Sequence, residues 1–357
     1  MKNWQDYVDI VCNEFDVENC GIKIGNSIIC DGYKKNSNVA VFSHYHSDHI
    51  KYFQKTLTAC DCVLASRITY DALVAIYGDY VSYRQNFQPI DFNSTFTTET
   101  GEKITLYPSN HIPGSAQIFV ETSNGTRILY SGDFNYPNIN VPKCDILVLD
   151  STHGDKQWDF VYDRKSVLNR IYQCVENEIM NQKQPITIKA SRGVLQLIME
   201  HLENNPEGRI PGIVKFLADH KDVNLTSALN PYLSTPIRPI LYYKDKEALK
   251  LRNLSEPYVF FRVHGSAPIP QEESMKVIQV EAYAGFKNKG PLFEDENGLL
   301  RANLSTHASY SNIIEYIKTA QPRVVLTDNS RGSYGNILAQ NISQELGILA
   351  FPRPIKK

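Results

Sequence analysis

The sequence predicts an α/β fold, built as two domains or as one large domain carrying an insertion. Three observations predict it. At 357 residues the chain is too long for one small core. Short apolar runs of strand character alternate with segments whose apolar residues recur at helical spacing. Four of the apolar runs end on a histidine or an aspartate, at His44, His111, Asp133 and Asp150, before the character changes near residue 155 and returns from Leu304.

The bulk properties are those of a soluble globular protein, with 42% hydrophobic and 21% charged residues. The formal net charge is −2. Binding to a polyanion would therefore need a local basic patch, since the whole is not basic. The seven cysteines are odd in number and form no C-x-x-C, so reduced thiols in a cytosolic protein are expected. Cys60 and Cys62 are expected on one face of a strand, packed in the interior. The amino-terminal stretch MKNWQDYVDIVCNEF is acidic and lacks an apolar signal region. No apolar run approaches the ~20 residues of a membrane span. The expected location is the cytoplasm (or the nucleus, in a eukaryote), without secretion and without a membrane.

In chain order, residues 22–24 and 27–30 read as a hairpin around Gly25-Asn26. Residues 38–42 form an apolar strand after the polar, turn-like 34–37. Residues 60–65 are a strand, and 67–77 carry a helical repeat that stops before Gly78. A strand at 104–107 leads to His111, where Pro113 and Gly114 force a turn. Residues 117–121 and 127–130 form a hairpin around Asn124-Gly125 that leads to Ser131-Gly132-Asp133. The apolar run at 144–150 suggests burial on both faces and ends on Asp150. Residues 163–182 are an amphipathic helix, 185–190 a strand, and 191–202 a helix opening on a Ser191-Arg192-Gly193 turn. Strands follow at 240–243, 258–263 and 276–280. The run Lys244, Lys246, Lys250, Arg252 includes Asp245 and Glu247 and reads as a solvated surface. Residues 304–310 lead into a helix at 312–319, then a strand at 322–328 and a last helix at about 334–346.

The stretch His44-Tyr45-His46-Ser47-Asp48-His49 concentrates the chemistry. Three of the nine histidines and an acid fall within six residues at the end of a strand. His44 and His46 alternate as on an extended segment and can face one ion. Asp48 and His49 follow where the chain turns and can face a second. Imidazole and carboxylate are the usual ligands of zinc. The plainer reading is a polar turn that happens to be rich in histidine, and the clustering argues against it.

This stretch matches the HxHxDH signature of the metallo-β-lactamase superfamily, and the later strand-end residues follow that superfamily's motif order over roughly residues 20–154. The resemblance implies that His44, His46 and His111 hold one metal, that Asp48 and His49 hold another, and that Asp133 bridges both. It implies two Zn2+ ions, with Mn2+ as the alternative. Leu304–Tyr310 resembles the Ser-x-His-(Ala/Ser) motif of the β-CASP nucleases, the branch that inserts a second domain and cuts nucleic acids. That branch implies an αββα sandwich with an inserted α/β β-CASP domain. Its parts would be residues 1–154, the insertion at 155–285, and a closing part at 286–357. It also implies that His307 reaches the active site and is held by Asp150.

The chain departs from the family's pattern in two places. His153 stands where the first extra motif usually has tyrosine. Asp328-Asn329 stands where RNA-cutting members usually have His-Gly. Asp328 can ligate the second metal or hydrogen-bond Arg331. Ser191-Arg192-Gly193 resembles a Gly-Arg turn of the inserted domain, so Arg192 and Arg331 are candidate contacts to substrate phosphate. The expected activity is zinc-dependent hydrolysis of phosphodiester bonds in RNA or single-stranded DNA by a water activated between two metals. Asp48 would orient the nucleophile and His307, with Asp150, would serve the leaving oxygen. A small-molecule metallohydrolase of lactonase or thioesterase type and a non-catalytic nucleic-acid-processing subunit are the competing readings. A protein partner is the expected source of specificity, and a homodimer is the other association expected.

Overall fold

The computed structural model describes residues 4–13, 16–25, 27–160, 162–205, 208, 210–254, 256–281 and 289–355. The chain divides into two compact units, one of Met1–Asp159 with His307–Lys357 and one of Phe160–Thr306. The boundary expected between residues 285 and 286 lies outside the described residues, as does Asn26 of the first expected turn.

The first unit begins with β1 (Val8–Asn13), β2 (Asp16–Ile24), β3 (Ile28–Cys30) and β4 (Val39–Phe42). Next come α1 (Phe53–Ala59), β5 (Cys62–Ser66), α2 (Arg67–Tyr77), α3 (Asp79–Ser82) and β6 (Phe87–Ile90). Then follow β7 (Thr95–Thr97), β8 (Lys103–Pro108), β9 (Ala116–Glu121), β10 (Arg127–Tyr130) and β11 (Ile146–Leu149). The second unit holds α4 (Arg164–Glu176), β12 (Ile186–Ala190), α5 (Val194–Glu203), β13 (Lys215–Ala218), α6 (His220–Leu229) and β14 (Ile240–Tyr242). It continues with α7 (Lys246–Leu254), β15 (Tyr258–Val263), β16 (Lys276–Val280), β17 (Leu292–Glu294) and β18 (Leu300–Ala302). The chain then returns to the first unit with α8 (Tyr310–Ala320), β19 (Val324–Asp328), α9 (Gly335–Leu346) and β20 (Leu349–Arg353).

Two mixed sheets build the first unit, in the orders β1-β2-β3-β4-β5-β6 and β20-β19-β11-β10-β9-β8-β7. One hydrophobic cluster takes side chains from both sheets, among them Ile22, Val41 and Leu64 from the first and Ile118, Ile128 and Val148 from the second. The alternation of side chains along a strand decides the rest. Ile146 and Val148 of β11 join that shared cluster, while Leu147 and Leu149 join a second cluster with Ile313 and Ile317 of α8 and Leu338 and Ile342 of α9. The double-sided burial expected for this strand is therefore observed. Burying one such side chain contributes roughly 1.5–3 kcal/mol.

Helix ends follow local chemistry. Ser66 caps α2, its hydroxyl accepting from the Thr69 amide at 3.1 Å, and Gly78 ends it with φ +63°. Ser309 caps α8 in the same way. One expectation is corrected here. Cys12 and Cys20 form a disulfide across the β1–β2 pair, with Cα atoms 4.2 Å apart. Antiparallel pairing places Val11 opposite Gly21 and so brings the two thiols together, which spacing along the chain does not reveal. Cys60 caps α1, so only Cys62 of that pair lies in a strand.

The second unit is one sheet in the order β14-β13-β15-β12-β16-β18-β17, parallel except for the last pair. Residues 292–302, expected with the closing part, lie in this unit because β18 hydrogen-bonds alongside β16. Its α5 opens on the expected turn, with Gly193 at φ +85° and its amide donating to Gln196 Oε1 at 2.7 Å. Among the described residues no helix is long and apolar enough to cross a membrane.

Candidate metal centre

Strand β4 is buried along its whole length and delivers the chain to Ser43 and the histidine cluster. The amides of His49 and Ile50 both donate to the His46 carbonyl, at 3.1 and 3.0 Å, which curls the loop into a turn. His44 and His49 are buried, His46 is partly exposed and the Asp48 side chain is about half exposed (48%). Beyond β8, the Ser115 hydroxyl accepts from the amides of His111 and Ile112 and fixes that turn. The Ser109 hydroxyl donates to the Asp133 carbonyl at 2.7 Å, tying the His111 turn to the next one. Gly132 adopts φ +52°, and a Cβ there would lie 2.8 Å from the Ala116 carbonyl oxygen. A glycine is required at this close approach. The Ala308 amide donates to the Phe134 carbonyl, which fastens the segment bearing His307 beside Asp133.

These loops bring the side chains together. The ligand-type atoms of His44, His46, His111 and Asp133 all lie within 4.8 Å of one another, and so do those of Asp133, Asp150 and His307. One oxygen of Asp133 lies 3.6 Å from His44 Nε2, 3.5 Å from His111 Nε2 and 3.8 Å from His307 Nε2. Its other oxygen lies 3.2 Å from His49 Nε2, which is also 3.5 Å from Asp48. Asp133 thus stands between the two groups.

Sequence reasoning missed the residue behind them, Asp31. It is buried, and its carboxylate accepts from the Ser43 amide (2.7 Å), the Ser43 hydroxyl, His49 Nδ1 (2.8 Å) and the Tyr130 hydroxyl (2.9 Å). Because the Ser43 hydroxyl gives its proton to Asp31, it accepts from His44 Nδ1 at 3.0 Å. Both imidazoles are thereby held by Nδ1 with Nε2 directed at Asp133. The signal was available. Asp31 ends an apolar strand, as the recognised residues do.

The electrostatics match the geometry. Burial and the neighbouring imidazoles hold His44 well below the usual histidine range. Burial opposes a charge on His49, but the carboxylates of Asp133 and Asp48 outweigh it and push its pKa well up. Burial likewise opposes a charge on His307, and Asp150 and Asp133 overcome it, raising its pKa to about 9. His307 Nδ1 donates to Asp150 at 2.8 Å. Burial raises the Asp150 carboxyl, and His307 with Thr152 more than reverses this, to about 2. His153 braces the same segment, its Nδ1 donating to the Ala308 carbonyl at 3.0 Å and its ring stacked on Trp158.

The remaining candidates are engaged by other partners. Asp328 ends β19, but its carboxylate accepts from the Ser330 amide and hydroxyl and from Arg331 Nη1 at 2.9 Å. Arg331 is largely buried, with Nη2 donating to the Asp31 carbonyl at 2.7 Å. Arg192 belongs to the second unit, where Nε donates to Asp222 at 2.8 Å.

The residues fit a divalent metal ion. His44 Nε2 and His49 Nε2 are buried and make no hydrogen bond, yet both face the Asp133 carboxylate. Leaving such atoms unsatisfied is costly unless a cation meets them. Nitrogen and carboxylate donors in this number suit a divalent transition metal.

No family model matches the chain. It is 22% identical over 337 residues to a probable DNA ligase of Opitutus terrae, covering 88% of this chain and 30% of the ligase. To RNase aCSPSF2 of Saccharolobus solfataricus it is 24% identical over 305 residues, covering 74% of this chain and 59% of the RNase. To the DNA cross-link repair 1A protein of Gallus gallus it is 26% identical over 151 residues, 40% of this chain and 15% of that protein. The chain therefore spans less than two thirds of each of these relatives. Among solved structures, a protein of unknown function from Enterococcus faecalis V583 shares the fold, with a TM-score of 0.60 over 90% of this chain and 93% of that one, at 12% identity.

Proposed function

Because the chain belongs to the β-CASP branch of the metallo-β-lactamase superfamily, we propose that it is a zinc-dependent nuclease that hydrolyses phosphodiester bonds of RNA or single-stranded DNA. In this reading the two sheets of the first unit are the αββα sandwich and the second unit is the inserted β-CASP domain. His44, His46 and His111 would hold one ion and Asp48 and His49 another, with Asp133 available to both. The observation that carries the reading is the Asp150–His307 pair beside Asp133. A metal site that only activated water for a small ester would not need it.

Bound divalent ions supply charge neutralisation for the phosphate and make a water acidic enough to act near neutral pH. With such ions bound, the half-exposed Asp48 would orient the attacking water and accept its proton. As the water oxygen bonds to phosphorus, the bond from phosphorus to the leaving oxygen breaks. His307, held by Asp150 through Nδ1 and charged near neutral pH, gives the leaving oxygen a proton from Nε2. The products are a terminal phosphate and a terminal hydroxyl. Relatives named for an RNase and for DNA cross-link repair support both substrate classes.

The test uses purified protein of measured zinc content with labelled RNA and single-stranded DNA of one sequence. His307→Ala is expected to lower kcat by roughly 10²–10⁴-fold with zinc content unchanged. Unaltered cleavage in that variant, or turnover of a lactone or thioester in place of nucleic acid, would overturn the reading.

A further inference from the structure

We propose that the second unit carries a separate binding site for a nucleoside phosphate, at the carboxyl ends of its parallel strands. An open cavity of about 250 Å³ lies there. Arg192 enters it from the loop after β12, Asp219, His220 and Lys221 from the turn after β13, and Tyr242 to Lys244 from the end of β14. The neighbouring strands β15 and β12 send the chain in opposite directions, β12 on to β13 and β15 across to β16. Open α/β sheets take ligands beyond the carboxyl ends of their strands, where connections diverge in this way.

The cavity is built for an anion. Arg192 is held in place by Asp222, which is fully buried. Lys221 and Lys244 are exposed at its rim, and the acid on its wall, Asp219, is already faced by an arginine. That arginine, Arg262 of β15, is only 3% exposed. Its Nη2 donates to the Ala267 carbonyl at 2.6 Å, while Nε and Nη1 are buried without a hydrogen bond. Nε lies 3.7 Å from Asp219, Nη1 lies 3.6 Å from the buried Glu272, and the guanidinium lies 5.7 Å from the centre of the Tyr243 ring, so an ion-paired arginine holds the acid of the cavity wall. The amino end of α6 opens on the same space, and the Asp219 side chain at that position makes no capping hydrogen bond. Its first amides are available to a phosphate.

The other wall is aromatic. The rings of His220 and Tyr242 meet edge to face at 5.7 Å, and those of Tyr242 and Tyr243 at 5.3 Å. Rings beside cations offer a stacking platform for a base joined to a phosphate. The volume lies just below the ~300–1,000 Å³ of sites for drug-sized ligands, which fits one nucleotide. The ligand is a free nucleotide or the nucleotide at a strand's end, the two sharing this chemistry. Every residue named is in the second unit, so the site stands whether or not the metal centre cuts nucleic acid.

Calorimetric titration of the full chain, with chelator present to silence the metal centre, tests this. The probes are a nucleoside 5′-monophosphate, inorganic phosphate and a 5′-phosphorylated single-stranded oligonucleotide. Lys221→Glu/Lys244→Glu, both exposed, is expected to weaken nucleotide binding tenfold or more, as loss of charge-assisted contacts implies, with an unchanged melting curve. Tyr242→Leu is expected to weaken the nucleotide and leave phosphate alone. Binding of the mononucleotide identifies the free nucleotide as ligand, and binding of the oligonucleotide only identifies the strand end. Either supports the site. Unchanged affinity in the charge-reversed variant, phosphate binding as tightly as the nucleotide, or no binding of either nucleotide probe overturns it.

Discussion

Asp31 shows how much one residue can fix without touching substrate. Four donors converge on its buried carboxylate, and two of them settle which nitrogen His44 and His49 present. Asp31→Ala is expected to cost about 3–5 kcal/mol, as removing one partner of a buried charged pair does. Urea unfolding in chelator measures this, and a loss below ~1 kcal/mol would show that the network is dispensable. The content of bound divalent metal is expected to fall in the variant as well. At this scale the sequence was most legible where one short stretch held several ligand-type residues, as in His44–His49. It was least legible where a side chain had two competing fates. Asp328 ends a strand just as Asp133 does, but Ser330 and Arg331 follow it within three residues and engage its oxygens. Spacing alone does not distinguish the two. The place of Arg331 is hidden for the same reason, since its contact with the Asp31 carbonyl joins residues 300 positions apart.

At the scale of elements, turns position the site more than strands do. Gly132 allows β10 to hand the chain to Asp133 under the Ala116 carbonyl. Gly132→Ala is expected to destabilise the first unit by about 1–3 kcal/mol, the cost of a strained backbone at positive φ. A thermal melt checks this against Gly125→Ala, where φ is also positive but a Cβ would meet nothing within 4 Å. Equal effects of the two substitutions would mean that backbone strain alone is felt and the close approach is not. Helices α2, α5, α8 and α9 were legible because their apolar spacing and caps agree. Strand β20 was not, because Leu349–Arg353 shows no alternation of buried and exposed residues and contains Pro352. A proline is tolerated there because β20 is the edge of its sheet. The short β14, β17 and β18 are likewise recognisable chiefly through the strands they pair with.

At the scale of the molecule, the two units have separate cores, and the candidate metal ligands lie only in the first. Scanning calorimetry is expected to show two transitions, with chelator lowering the first unit's only. An ion held at a hundredfold excess over its Kd contributes about 2.7 kcal/mol. A uniform shift of both transitions would contradict this. The sequence changes character near residue 155, and the second unit begins at Phe160. The return was harder to place, because the last strands of the second unit resemble the polar loops around them. The pairing of Ile146 with Val324 has a further consequence, for synthesis on the ribosome. β11 and its neighbour β19 are separated by roughly 180 residues, and elongation at about 5–20 residues per second spans that interval in on the order of ten to thirty seconds. Throughout it the nascent first unit holds an unpaired strand edge and an apolar face that α8 and α9 have yet to cover, while the second unit can already close. The order of translation therefore makes the half that carries the candidate metal centre the last to mature, and the one most dependent on chaperones while it waits.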